Sequence, residues 1–415
     1  MKILLVYTVP DKVKKALFGF SYELLIIATI LKKYHTIRIH DFSCESFIKE
    51  SFTIELLNEK YDLIMVECDS FALKRSQNIK NASQILSLCK GITPTLAFGN
   101  YCYIQNKDFE LADYTVKKND INLILEFINE IDFKNVIPLV YEYDDLPYID
   151  RNLLNIIHYY KLHQTNTLLQ TSKGCQNTCI FCQRKGWQNV FVTHSDNYVI
   201  NELKYLIKNN YHNIWIIDEN FTFDLARAKR LLKSYLTLDL GYKPNLFISS
   251  WANIDYEFID LAALCNIRII SFGIETGNTA ILQFYRKNIN LETIPNLISY
   301  ANRKGIFTVG NFILGAPMET EDTIKETFDL IRRCEFDQIN FKTLDYMIGS
   351  ELHERLPKEL KKLDHVFSCS ENGLCNFSLN TLIKKKTEFL KVYYAEHKLK
   401  IRDKIIKYGM PYRIH

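Results

Sequence analysis

Strand-length apolar runs alternate with helix-length amphipathic segments along most of this chain, and that alternation constrains the fold more than any other feature. Apolar runs at 2–8, 36–42, 62–69 and 94–98 are interleaved with helical patterns at 21–34, 51–60 and 77–90. A strand that is apolar on both faces must be covered on both, and strands that alternate with helices pair in parallel. The alternation resumes after 166, with strands at 167–171, 213–217, 245–250, 268–273, 307–314 and 338–344. Helical patterns at 201–209, 225–236, 255–265, 291–303 and 323–334 lie between them. The expected fold class is α/β: an N-terminal Rossmann-like parallel sheet domain over 1–140, then a partial (β/α)6 TIM barrel over 141–355. The turn at Asp144-Asp145-Leu146-Pro147 falls in a linker over 141–164, and a Lys-rich helical C-terminal segment with a loop at 364–380 occupies 356–415. In both kinds of sheet, ligands sit at the carboxyl ends of the strands.

Composition excludes little but does set the surroundings. A net charge of +4 is too small to argue for nucleic acid, and most Lys and Arg stand beside Glu or Asp on helical faces. The longest apolar stretch, 24–31, is too short to span a bilayer, and the first seven residues have too short an apolar core for a signal peptide. Eleven cysteines without an export signal point to free thiols or metal ligands in a reducing, cytoplasmic compartment.

Three of those cysteines carry the chemistry. The run Cys175-Gln-Asn-Thr-Cys179-Ile-Phe181-Cys182 follows directly on the first strand of the second half. A C-x3-C-x2-C loop gathers three thiolates on a short piece of backbone, which suits an iron–sulfur cluster with one iron left open to a small molecule. A structural zinc site would pair two C-x2-C units, and no second unit lies at a suitable distance.

This loop, with an aromatic residue just before its third cysteine, resembles the signature of the radical S-adenosylmethionine (SAM) enzymes. The resemblance covers about 1–355 and is to the branch with an N-terminal cobalamin-binding-type domain. It extends through Asp145-Leu-Pro147, Asp218-Glu219-Asn220-Phe221-Thr222, Ser271-Phe-Gly-Ile-Glu275-Thr-Gly277, Phe312-Ile-Leu-Gly315-Ala-Pro317-Met-Glu319-Thr320 and Gly349-Ser-Glu351-Leu352. It implies that Cys175, Cys179 and Cys182 ligate a 4Fe-4S cluster whose open iron chelates SAM, and that reductive cleavage gives a 5′-deoxyadenosyl radical. It implies an electron donor such as flavodoxin or ferredoxin. It places Asp218, Glu219 or Asn220 on the SAM amine, with Asn253 and Glu275 on its ribose or carboxylate. Asn311 and Leu314 would line the adenine, and Phe181 would pack on the cluster or the adenine. On the residues alone, Asp218 also reads as a helix cap and Glu275 as a surface carboxylate.

The N-terminal half departs further from the family. It lacks the Asp-x-His-x-x-Gly loop that supplies an axial histidine to cobalamin, and the family's Gly-Gly after strand four is here Gly99-Asn100. Ser70 and Leu73 match a Ser-x-Leu element loosely, and Thr8 stands at the end of the first strand. Thr8, Ser70, Gly99 and Asn100 are the candidate cobalamin contacts. Gly99-Asn100 reads equally as an ordinary strand-ending turn. Cys369 and Cys375 read as structural thiols before hydrogen-atom donors, and Tyr346 as either core or substrate-facing.

Two functions follow. The first is a cobalamin-dependent methyltransferase acting on an unactivated carbon of a small metabolite or short peptide. The second is a cobalamin-independent cyclase, epimerase or rearrangement enzyme with a vestigial N-terminal domain. A non-catalytic protein with a structural cluster is disfavoured by the strand-end residues that accompany the cysteines.

Overall fold

The computed structural model describes residues 1–8, 20–42, 48–68, 75–154, 166–183, 190–239 and 241–408, without the side chains of 75–78 and 408. The chain divides into two compact units, one of residues 1–168 with 185–188, the other made up of the rest.

The first unit is built on a five-stranded sheet in the order β2-β1-β3-β4-β5. Its strands are β1 (Lys2–Tyr7), β2 (Thr36–Asp41), β3 (Leu63–Glu67), β4 (Thr95–Phe98) and the two-residue β5 (Tyr114–Thr115). All its pairs are parallel. Ile3–Val6 and the whole of β3 and β4 are buried, as their unbroken apolar runs require. Helix α1 (Tyr22–Leu31) starts where Ser21 Oγ accepts from Leu24 N (3.1 Å), and nine of its ten residues are buried. Helices α2 (Lys49–Glu59), α3 (Arg75–Cys89), α4 (Asn100–Gln105) and α5 (Ile121–Ile131) complete the unit. The β5–α5 pair was not expected, because a two-residue strand leaves no periodic signal.

The stretch after α5 stays with this unit. Asp150 N donates to Thr29 Oγ1 (2.8 Å). The buried Arg151 donates to Thr167 Oγ1 (2.5 Å) and to Leu168 O (2.7 Å). The segment read from sequence as a linker to the barrel is thus anchored on the first unit up to residue 154; the rest of it lies outside the described residues.

The six-stranded sheet β13-β12-β11-β10-β9-β6 lies in the second unit except for residues 166–168 of β6, which fall in the first. These are β6 (Asn166–Leu169), β9 (Asn213–Ile216), β10 (Asn245–Trp251), β11 (Ile267–Glu275), β12 (Phe307–Leu314) and β13 (Gln338–Thr343). The pairs from β9 to β13 are parallel. Helices α6 (Asp196–Lys208), α7 (Leu225–Leu236), α8 (Tyr256–Leu264), α10 (Ile294–Arg303) and α11 (Glu321–Cys334) cover one face, where Ile214, Ile248, Ile270, Phe272 and Ile339 pack with Leu206, Leu231, Ile298 and Ile331. Alternation along each strand then sends the intervening residues to the inner face. The short helix α9 (Thr279–Tyr285) and two hairpins, β7 (Ser172–Gly174) with β8 (Phe191–Thr193) and β14 (Asp345–Met347) with β15 (His365–Phe367), were also unforeseen. They sit at the carboxyl ends of β11, β6 and β13. Helix α12 (Glu351–Glu354) leads to the long terminal helix α13 (Leu379–Tyr408). Among the described residues, no helix is long and apolar enough to cross a membrane.

Candidate active site

The cysteine loop leaves the β7–β8 hairpin at a forced glycine. Gly174 has φ 89°, and a Cβ there would lie 1.7 Å from Val190 O. Only glycine permits that crossing. Cys179 is buried, whereas Cys175 and Cys182 are half-buried. The loop is pinned from three sides. Ile180 N donates to Tyr285 O (3.4 Å), Leu352 N donates to Ile180 O (3.0 Å), and Gln183 Nε2 donates to Ile348 O (2.8 Å). Phe181 meets the Tyr285 ring edge-on at 5.1 Å.

Among the described residues, no three His, Cys, Asp or Glu side chains converge as ligands of one ion. A cluster makes a different demand. Each thiolate binds its own iron, so the sulfurs surround a body rather than a point. Three cysteine side chains on one pinned loop meet that demand. Burial pushes the Cys179 thiol up to about 11, with the Lys287 charge pulling against it. Burial raises Cys175 as well, opposed by Asn177, whose Nδ2 donates to its Sγ (3.3 Å). Ligation must displace those protons, and nearby positive charge favours it.

Asp218 and Glu219, which follow β9, have separate tasks. Asp218 is buried, and both of its oxygens are taken. It accepts from Thr171 N (2.7 Å), Thr171 Oγ1 (2.5 Å) and Ser172 Oγ (2.6 Å). Of the three residues expected near the SAM amine, Asp218 is the one that ties the base of the cysteine loop to the segment after β9. Burial raises its carboxyl, and the Ser172 and Thr171 hydrogen bonds pull it back. Asn220 is likewise consumed, accepting from Thr222 Oγ1 (3.1 Å) and Trp251 N (3.3 Å). Glu219 accepts from Gly174 N (2.9 Å) through one oxygen, next to Cys175. Burial, with Asp218 adding to it, pushes its carboxyl up to about 7.

The end of β11 is the most constrained point of the site. A bulge separates Gly273 from Glu275, and Glu275 has φ 74°, a left-handed conformation that side chains avoid. Its Oε1 accepts from Lys287 Nζ (2.6 Å), and the Lys287 side chain is only 2% exposed. The ammonium lies over the Trp251 ring, 4.4 Å from its centroid. Gly273 makes room for the pair, since a Cβ there would stand 2.7 Å from Lys287 Nζ and 2.8 Å from Glu275 Oε1. Sequence reasoning found Glu275 but missed Lys287, because Arg286-Lys287 reads as a solvated charge pair. The signal that was available is Gly273, two residues before the carboxylate.

The remaining expectations fare unevenly. Asn311 Nδ2 donates to Ser271 Oγ (2.8 Å) and Phe272 O (3.0 Å) on the inner face. Leu314 is fully buried with Ile324 and Leu382, and by alternation its neighbour Ile313 packs with Ile180 of the cysteine loop. Asn253 is exposed on the loop after β10. Glu319 shapes the loop after β12 by accepting from Gly315 N (2.6 Å) and Ala316 N (3.1 Å). Tyr346 lies in the core with Ile180 and Tyr285. Cys375 Sγ donates to Phe377 O (3.4 Å) and Ser368 O (3.6 Å), and burial raises both it and Cys369.

In the first unit, Thr8 is buried at the end of β1, and Ser70 and Leu73 lie outside the described residues. Gly99 has φ 106°, and a Cβ there would meet Cys68 O at 3.1 Å and Cys68 N at 3.2 Å. Its side-chain direction is closed by the end of β3. Asn100 is buried at the start of α4.

The sequence profile of the radical SAM superfamily matches residues 169–331. The cytidylyl-2-hydroxyethylphosphonate methyltransferase of Streptomyces wedmorensis is 28% identical over 194 residues, which is 44% of this chain and 36% of that protein. The chain thus matches little more than a third of that relative's length. The radical SAM methyltransferase TsrM from Kitasatospora setae, solved with cobalamin and a [4Fe-4S] cluster, superposes with a TM-score of 0.68 at 17% identity, covering 85% of this chain and 76% of that one. The cobalamin-dependent SAM radical enzyme OxsB, solved with aqua-cobalamin and SAM, gives 0.68 at 15% identity, covering 87% and 61%. These two likenesses are of fold. The superfamily profile lies over the cysteine loop and the strand ends that hold it, so residues 169–331 form a radical SAM domain, and the fold of the chain is like that of TsrM and OxsB.

Proposed function

We propose that the chain is a cobalamin-dependent radical SAM methyltransferase acting on an unactivated carbon of a small metabolite or short peptide. The observation that carries this reading is the cysteine loop pinned at the strand ends, with the buried Lys287–Glu275 pair close enough to act on its thiols. When bound, the cluster supplies the electron that cleaves the SAM sulfonium, and cobalamin supplies the methyl group. Cys175, Cys179 and Cys182 would hold three irons. Lys287, a buried ammonium with Glu275 fixing its place, suits a carboxylate; Glu219 suits an ammonium. Trp251 shields Lys287 from water on one side.

Support for cobalamin is the shared architecture with TsrM and OxsB, whose structures contain it. The described residues that end β1, β3 and β4, namely Thr8, Cys68, Gly99 and Asn100, include no imidazole. The relative from Streptomyces suggests a small-molecule methyl acceptor, and a one-electron donor of the flavodoxin or ferredoxin kind completes the system.

The test is anaerobic reconstitution with iron, sulfide and hydroxocobalamin, followed by desalting, an absorption spectrum and an assay for 5′-deoxyadenosine. Retained cobalamin together with SAM cleavage supports the reading. SAM cleavage without retained cobalamin replaces it with the cyclase, epimerase or rearrangement alternative.

A further inference from the structure

The inner face of the barrel carries rows of side chains that the SAM contacts leave unused. Strand register sets the rows. Trp215, Phe247, Ile269 and Phe307 form one, and Ser249, Ser271, Val309 and Gln338 the next. Trp251, Gly273, Asn311 and Asn340 form the third, nearest the cysteine-loop end. The interior is not packed shut. Trp215 is 41% exposed in mid-strand, and Gln338 and Asn340 are half-buried although their neighbour Ile339 is buried against the helices.

Across the second and third rows runs a ladder of amides. Gln338 Nε2 donates to Asn340 Oδ1 (2.9 Å), Asn340 Nδ2 donates to Asn311 Oδ1 (3.1 Å), and Asn311 Nδ2 donates to Phe272 O (3.0 Å). The last contact orients the whole ladder. A backbone carbonyl only accepts, so Asn311 must present its nitrogen there, and every amide above it is fixed in turn. The bulge after Gly273 accompanies that carbonyl. What remains unused is then determined. Gln338 Oε1 is an acceptor, and Gln338 Nε2 and Asn340 Nδ2 each keep one proton. Among the described residues, no hydrogen bond takes up either group. Gly273 keeps the third row open between Trp251 and Asn311, because any side chain there would strike Lys287 and Glu275.

We propose that Gln338 and Asn340 are substrate-specificity residues that bind a planar group able both to donate and to accept hydrogen bonds, the chemistry shared by a carboxamide and a nucleobase edge. A site that pairs buried donors and acceptors rejects analogues lacking them, because its own groups are then left unpaired. This deepens the reading of the chain as an enzyme acting on a small molecule. Its test needs neither cobalamin nor methyl transfer, so the two fail separately.

The test is anaerobic equilibrium dialysis of the cluster-loaded, SAM-bound protein. Cytidine 5′-monophosphate is the probe in one arm and N-acetylglycinamide in the other. At least one probe should be retained by the wild type and bind about tenfold more weakly to Asn340→Leu, as loss of one or two net hydrogen bonds requires. Bound iron and SAM should match the wild type. The arm that responds tells a base from a carboxamide. Gln338→Leu removes only the free end of the ladder and leaves Asn311 anchored, so it repeats the test if Asn340→Leu fails to fold. Retention of neither probe by the wild type overturns the proposal. So does equal retention by the wild type and both variants, and so does loss of SAM in step with the probe, which would assign the amides to the SAM site.

Discussion

Among the strand ends that enter the left-handed backbone region, those of β4 and β11 use it in opposite ways. At the end of β4, Gly99 takes φ 106° because the turn passes so close to Cys68 that a side chain has nowhere to go. At the end of β11, Glu275 takes φ 74° with a full side chain, and its carboxylate meets a buried lysine. A left-handed residue other than glycine costs about 1–2 kcal/mol, which glycine would avoid. Gly99 solves a packing problem, whereas the strain at Glu275 is kept where a side chain is needed. One end lies in the unit read as a cofactor-binding domain, the other in the radical SAM barrel. The contrast says that the barrel is where this chain holds charge under constraint.

The largest effect should come from extending the glycine case to the cysteine loop. Gly174→Ala combines a positive φ with a Cβ 1.7 Å from Val190 O, so the β7–β8 hairpin cannot close. Near-complete loss of bound iron is expected in an iron assay after reconstitution; normal iron content would show that the hairpin does not set the loop.

Glu275→Gly sharpens the comparison, since it relieves the strain and removes the partner of Lys287 together. An uncompensated buried charge costs about 3–5 kcal/mol, more than the strain returns, so the variant should melt below the wild type. A higher melting temperature would mean that Lys287 is adequately solvated and the pair is not under constraint. Asp218→Asn should act through the loop. Weakening charge-assisted bonds worth roughly 1.5–3 kcal/mol should speed cluster loss to a chelator. In molecules that keep the cluster, SAM affinity should be near normal, and a primary loss of SAM binding would return Asp218 to the pocket. The smallest effect belongs to Gly99→Ala, a cost of about 1–2 kcal/mol in the first unit with no change in bound iron. Gly99→Trp, which sequence alone suggests as a steric block to cobalamin, would instead drive a side chain into the end of β3.

Periodicity made the regular elements legible. Helix 225–236 and strand 307–314 fall where their apolar patterns place them, because each buries one face against a neighbour. The cysteine triplet and Glu275 were readable as types at strand ends. The pieces that shape the site were not. Ser172–Gly174 pairs with Phe191–Thr193 over three residues on each side, too few to show a period. Leu314 and Ile313 join different clusters by a single step of strand alternation, which one residue of uncertainty in a strand end hides. Lys287 is recruited from a helix end twelve positions beyond Glu275, and Asp218 by a loop that folds back on it; both are long-range contacts that no local pattern reports.

The central claim is that SAM is cleaved reductively at the Cys175–Cys179–Cys182 loop. It is tested most directly by quantifying 5′-deoxyadenosine from SAM in anaerobically reconstituted, dithionite-reduced protein, with Cys179→Ala beside the wild type. The account predicts 5′-deoxyadenosine and methionine in equal amounts from the wild type and neither from the variant. Cleavage by Cys179→Ala at the wild-type rate, or none by wild-type protein carrying its full iron, would contradict it.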